Sequence, residues 1–357
     1  MSEAVLLIGT RKGLWIGRSD ADRAKWRLDG PQFEMQALYS VGVDPRTGRV
    51  FAGGTSEHWG PAVFHSDDLG RTWAEPPEGS ITFPADTETS LERVWQIQPG
   101  PTPDVVYAGA EPSSLWRSED GGVRFELVRG LWDHPHREKW EPGGGGQAIH
   151  TVVPHPSDRN RVTVAMSAGG VYRTADGGET WSASNTGIKA YFLPDPWPEF
   201  GQCVHKVAPD AGDADRLYAQ NHHGVYRSDD GGATWSSIAD GLPSDFGFPI
   251  VAHPSVPDTV YVFPLVADSN RIPVDAHFRV YRSRDAGKTW EPLTEGLPAE
   301  PAYAPVLRDA MSADQRSGLY VGTRDGCVYA SADSGDTWSE VARHLPDVLS
   351  VRAAVVG

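Results

Sequence analysis

The chain has 357 residues, with 48 acidic against 32 basic side chains and a formal net charge of −16. That charge excludes a general nucleic-acid or anionic-membrane surface, which needs a basic footprint, so neither partner is expected. Two cysteines, Cys203 and Cys327, exclude a disulfide framework, and 39 glycines, 29 prolines and 13 tryptophans describe an ordered, turn-rich chain.

The first element is a short apolar run, Ala4 to Ile8, followed at once by Thr10, Arg11 and Lys12. A secretory leader places basic residues before a longer apolar stretch, and no run reaches the roughly 18–20 residues of a membrane span. The expected location is the cytoplasm. Further along, one pattern recurs: SDDLGRTW (Ser66–Trp73), SEDGGVRF (Ser118–Phe125), TADGGETW (Thr174–Trp181), SDDGGATW (Ser228–Trp235), SRDAGKTW (Ser283–Trp290) and SADSGDTW (Ser331–Trp338). A decayed copy runs from Ser19 to Trp26, and the starts fall 47, 52, 56, 54, 55 and 48 residues apart. Each copy reads as a hairpin turn. The Asp carboxylate accepts backbone N–H bonds, Gly supplies a positive φ, and the aromatic residue packs as the next strand starts.

Before each copy lies a strand pair, as in LYAQNHHGVYRS (Leu217–Ser228) and LYVGTRDGCVYAS (Leu319–Ser331). Helical periodicity is essentially absent. Seven units of about 51 residues suit four short strands each, the size of a propeller blade. The chain starts at the second strand of a unit and ends in a strand-like segment, Leu349–Val356, so the two ends are expected to complete one blade. The expected fold is all-β: a single seven-bladed β-propeller of four-stranded blades over residues 1–357.

On these six repeats the sequence resembles the BNR, or Asp-box, family of β-propellers. That family includes sialidases, xyloglucan-active glycoside hydrolases, sortilin-type receptors and photosystem assembly factors. The resemblance covers almost the whole chain. It implies that the Asp boxes are structural and that a glycoside-hydrolase-like label is in keeping with the fold. Fold alone does not settle function.

Propeller geometry orders the candidate site residues. Aligned innermost strands put Tyr39, Trp95, His150, His205, Phe248 and Arg308 at equivalent positions in or near the central channel. Residues two earlier share a side of the strand, which adds Arg93 and Cys203. Turns on the same face add Arg11 and Lys12, Glu57 and His58, Glu111, Asn221 with His222 and His223, and Arg324 with Asp325. Long connections gather there too. One is the insertion Pro264 to His277. Another holds Trp132, His134, His136, Trp140 and the Gly143–Gly146 run.

Three readings of this face stand side by side. His150, Cys203, His205 and His222 form a candidate transition-metal set for Zn, Cu or Fe, since imidazole and thiolate suit those ions. The alternative is a group of channel histidines bonded to backbone and water. Arg308, Arg324 and Arg11 form a candidate anion grip. Against it stands simple pairing with Asp309 or Asp325. Sialidases hold a carboxylate with three arginines, but their early Phe/Tyr-Arg-Ile-Pro motif is missing. The string Asn270-Arg271-Ile272-Pro273 falls late, inside the insertion, and is read as coincidence. Glycosidase chemistry needs two carboxylates about 5–9 Å apart, for which Glu57, Glu111 and Asp309 are the available acids. Asp309 is expected to alternate away from Arg308.

The leading expectation is an enzyme acting on a small polar or anionic, sugar-like molecule. His150 and His205 serve as acid–base or metal-binding pair and Glu111 as a further catalytic acid. Trp95, Tyr39, Asn221, Arg308, Arg324 and Arg11 hold the substrate. The rival is a non-enzymatic scaffold that docks a protein partner or ligand on this face.

Overall fold

The computed structural model describes residues 3–20, 22–56, 60–143 and 146–356. Its strands form seven antiparallel sheets arranged as the blades of a propeller, six of four strands and one of three. In blade four, Val204–Pro209, Leu217–Asn221, Val225–Ser228 and Ser236–Ser237 follow in order from axis to rim. Blades two, three, five and six repeat this layout, with innermost strands Arg93–Pro99, Ile149–Pro154, Phe246–Ala252 and Met311–Ala313. Blade one is the three-stranded sheet, Ala37–Val43, Val50–Ser56 and Gly60–Ser66, and an isolated bridge between His65 and Ala74 marks its fourth position. Second strands such as Leu217–Asn221 and Val106–Glu111 are buried at every residue. A strand covered on both faces by neighbouring blades is not free to alternate, so it reads as a continuous apolar run.

The ring closes as the sequence suggests. Val348–Val356 pairs with Glu3–Thr10, and these two strands join Gly13–Asp20 and Arg27–Gln32 in blade seven. The longest α-helix is one turn, Arg129–Trp132, and no helix among the described residues is long and apolar enough to cross a membrane.

Each Asp box is a closed hydrogen-bond circuit. In blade five the Ser283 hydroxyl donates to Asp285 Oδ1 (2.7 Å) and accepts from the Gly287 N–H (2.8 Å). The Thr289 N–H and hydroxyl then donate to the two Asp285 oxygens at 2.9 and 2.7 Å. Burial pushes the Asp285 carboxyl upward, but these donors outweigh it and hold it at about 2. In blades four and five the box tryptophan also reaches the preceding blade: Trp235 donates to the Ser184 carbonyl and Trp290 to the Ile238 carbonyl, both at 2.8 Å. Arginines on the third strands staple in the other direction. Arg227 donates to Ala286 O and Arg282 to Ser334 O, both at 2.8 Å, and Arg173 donates to Gly231 O at 3.3 Å. Each of these carbonyls lies in the Asp box of the next blade.

One irregularity positions the site. The innermost strands of blades one to four each carry an extra residue that skips the ladder: Tyr39, Trp95, His150 and His205. Phe248 sits in the same kind of shift in blade five, and Leu349 in blade seven. A bulge leaves its residue unpaired and re-aims the side chain. All the aligned positions except Arg308, which precedes the strand of blade six, are therefore bulges around the upper channel, and Leu349 is a member that the alignment of repeats did not include.

Candidate active site at the channel mouth

A cavity of about 620 Å³ opens at this ring. Tyr39, Trp95, His205, Phe248, Arg308 and Leu349 line it from the innermost strands or the residues leading into them. Turns between second and third strands add Arg11, His222 and Arg324, and long loops add Phe192, Asp268 and Arg271.

Cys203, His205 and His222 converge on the wall between blades four and five. One donor atom from each lies within 4.8 Å of the others. His205 is buried, and its Nδ1 lies 2.6 Å from the Gly247 carbonyl. Only an N–H can face a carbonyl oxygen at that distance, so Nδ1 carries the proton and Nε2 is a bare lone pair. His222 Nε2 lies 3.3 Å from Asp268 Oδ2, so its N–H donates to that carboxylate and Nδ1 is bare. Burial holds His205 well below its ordinary pKa, with Arg308 adding to the effect. Burial and then His223 lower His222, opposed by Asp268. Both rings are neutral near pH 7. Burial raises the Cys203 thiol while Arg308 opposes the rise. Cys/His/His is a donor set for zinc, copper or iron(II), and one nitrogen of each histidine is held by an acceptor, Gly247 O or Asp268.

His150 does not join this group. It is 1% exposed, lies outside the cavity wall, and its Nε2 is 3.2 Å from the Ser167 hydroxyl. Burial, then Arg308, Lys206 and His205, keep it neutral. The structure brings together three of the four expected ligands, and places His150 in the core beside Ser167. Glu111 is also displaced from a catalytic role. Its carboxylate accepts from Trp95 Nε1 at 2.9 Å and pairs with Arg93 at 3.3 Å, away from the cavity lining. Burial raises its pKa, and these two partners pull it back. Asn221 is fully buried, its Nδ2 donating to the Lys189 and His223 carbonyls, and it braces loops outside the cavity lining. His136 stacks on Phe200 at 4.0 Å with His134 beside it, off the cavity. Glu57, His58, Gly144 and Gly145 lie outside the described residues.

The arginines regroup. Arg11 and Arg324 both face Asp347, at 3.6 and 2.5 Å, so pairing accounts for them, with a partner other than the expected Asp325. Arg308 is different. Among the described residues it forms no ion pair and no hydrogen bond; its guanidinium lies over Trp95 (5.5 Å) and Phe248 (6.0 Å). Arg271, from the string read as coincidence, lies 5.2 Å from the same Phe248 ring. Asp309 does not turn away from the channel. It lines the cavity and is bound by Lys206 Nζ at 2.6 Å and by Arg352. Strict alternation fails where the strand of blade six has not yet begun. This buried triad links blades four, six and seven across the channel. Burial drives Lys206 down to about 8 against the pull of Asp309. The repeat alignment missed Asp268 and Arg271. The one signal for them was the length of the blade-five insertion.

Comparison with known proteins finds relatives of this architecture. A family model described as Sortilin-Vps10 (sortilin, neurotensin receptor 3) matches residues 223–349. A xyloglucanase of Hypocrea jecorina is 27% identical over 324 residues, covering 78% of this chain and 34% of that protein. A Paenibacillus xyloglucanase is 23% identical over 306 residues, covering 75% and 28%. The chain thus spans about a third of the length of these curated relatives. Among solved structures, a GH74 enzyme of Niastella koreensis superposes with a TM-score of 0.58 at 16% identity, covering 98% of this chain and 66% of that one. YCF48 from Cyanidioschyzon merolae gives 0.51 at 14% identity, covering 87% of each. With six Asp boxes closing their turns and seven blades closing the ring, the chain is a seven-bladed β-propeller, and these relatives support its likeness to propellers of the BNR, or Asp-box, type.

Proposed function

We propose that the protein is a glycoside-hydrolase-like enzyme acting on a small polar, sugar-like molecule in the channel-mouth cavity, with Cys203, His205 and His222 as its reactive centre. The observation that carries this reading is the convergence of three donor atoms within 4.8 Å on the wall of a 620 Å³ cavity. The likeness to xyloglucanases supports the sugar-directed part. The carboxylates favour histidine-centred over two-carboxylate chemistry: of the acids lining the cavity among the described residues, Asp309 is committed to Lys206 and Arg352, which leaves Asp268 alone.

The donor set fits a zinc-, copper- or iron-type ion, which when bound supplies Lewis acidity and an acidified water. The chain's own residues supply the rest. His205 is held as a neutral base by the Gly247 carbonyl, and Asp268 fixes the His222 tautomer. Tyr39, Trp95 and Phe248 offer ring faces against which a sugar packs.

The test is metal content by mass spectrometry on untagged protein, beside His205→Ala. The expected result is near one equivalent of metal, lost in the variant, with Tm nearly unchanged. No metal in either protein after reloading with zinc, copper and iron would remove the metal from this reading. A second reading rests on Tyr191, Phe192 and Trp197, which are 55%, 48% and 53% exposed and gather near Lys189 and His223 at the cavity rim. Such a patch suits docking of a protein partner. A partner whose binding is lost in Trp197→Ala but kept in His205→Ala would favour it.

A further inference from the structure

Arg308 and Arg271 are the unexplained charges of the cavity. The other three arginines of the wall are paired: Arg93 with Glu111, and Arg11 and Arg324 with Asp347. Arg308 comes from the innermost layer of blade six and Arg271 from the insertion of blade five, and their guanidiniums lie 6.0 and 5.2 Å from the centroid of the Phe248 ring. Arg308 has no protein acceptor for any of its five N–H donors among the described residues. A guanidinium half-buried without a paired counter-charge is costly, and the Trp95 and Phe248 rings beneath it offset only part of that cost. The nearest carboxylate along the chain, Asp309, is taken by Lys206 and Arg352. Burial lowers the Arg308 pKa, Cys203 and Asp309 oppose the fall, and Arg271 adds to it. These cations persist in a protein whose net charge is −16.

We propose that Arg308 and Arg271 form an oxyanion subsite, so that the molecule this cavity takes is an acidic sugar carrying a carboxylate or a phosphate. The inference rests on the reading of the cavity as a sugar-directed site and narrows its ligand class. A planar oxyanion accepts paired N–H bonds from a guanidinium fork. The Phe248 ring, near both cations, gives the sugar an apolar surface. Arg308 and Arg271 line the same cavity as Cys203, His205 and His222, so an anion held here shares its space with that centre.

Calorimetric titration with glucose, glucuronate and glucose 6-phosphate tests this on the full chain. The expected result is that at least one acid binds about tenfold or more tighter than glucose. A lead for glucuronate identifies the carboxylate, and a lead for glucose 6-phosphate the phosphate. Arg271→Gln and Arg308→Gln each lose about tenfold of that preference, and the double variant loses it all. Tm is expected to hold in both, since neither side chain has an ionic partner to lose. If Arg308→Gln fails to fold, Arg308→Lys, which keeps the charge without the fork, retains only part of the preference. His205→Ala keeps the acid preference while losing the reactive centre, which separates failure of the subsite from failure of the proposed chemistry. Equal binding of glucose and both acids, no binding of either acid, or a preference that survives in the double variant would overturn the proposal.

Discussion

His205 is a bulge residue, and that single backbone irregularity decides its chemistry. Out of the ladder, its ring is free to meet the Gly247 carbonyl through Nδ1 and to present Nε2. Asp268 performs the same tautomer selection for His222 from a different blade. Replacing Asp268 by Asn keeps the size and removes the charge that orients the imidazole. Metal affinity or turnover is expected to fall about 10- to 100-fold with little change in Tm, checked by metal titration beside thermal melts. Asp309 is a contrasting residue, structural although it lines the cavity. Asp309→Ala leaves Lys206 and Arg352 buried and uncompensated, and should cost about 3–5 kcal/mol in urea unfolding. Little of this was legible in the sequence. The repeats align His150 with His205, but only the surroundings show that one faces Ser167 inside the core and the other the cavity.

Among the elements, the Asp box is the one the sequence states outright, because its bonds run between residues two to four apart. Such local circuits leave a fixed spacing of Ser/Thr, Asp, Gly and Thr. The Trp and Arg contacts that tie one blade to the next span about 50–60 residues and leave no local spacing to read. All six box aspartates are held below the usual carboxylate range. A depressed folded pKa stabilises the protein fully above the unfolded value, near 4, and that stabilisation is lost as pH falls toward the folded values. Tm should therefore be level between about pH 7 and 5 and fall steeply below about 4, followed by circular dichroism melts. In Asp285→Ala the fall should be shallower and the neutral-pH stability lower by about 1–2 kcal/mol.

For the whole molecule, closure depends on a strand that enters last. The pairing of Val348–Val356 with Glu3–Thr10 joins the two ends of the chain, and Val351 N–H donates to Asp309 O at 2.7 Å to join blade seven to blade six. This pairing was legible from the incomplete first and last units, since an open propeller leaves two sheet edges exposed. Deleting residues 349–357 should abolish a single cooperative melt and drive aggregation, read by scattering during thermal denaturation. The cavity was only partly legible. Its floor follows the repeat, whereas Asp268 and Arg271 come from an insertion that has no counterpart in the other blades.

The central claim is that Cys203, His205 and His222 act as one metal centre beside an arginine-held anion. The most direct measurement is the absorption spectrum on titration with cobalt(II), in which a bound thiolate gives a charge-transfer band in the near ultraviolet. A band that saturates at one equivalent, disappears in Cys203→Ser and is lost in His205→Ala is the predicted result. A spectrum without that band, or one that Cys203→Ser leaves unchanged, would contradict the account.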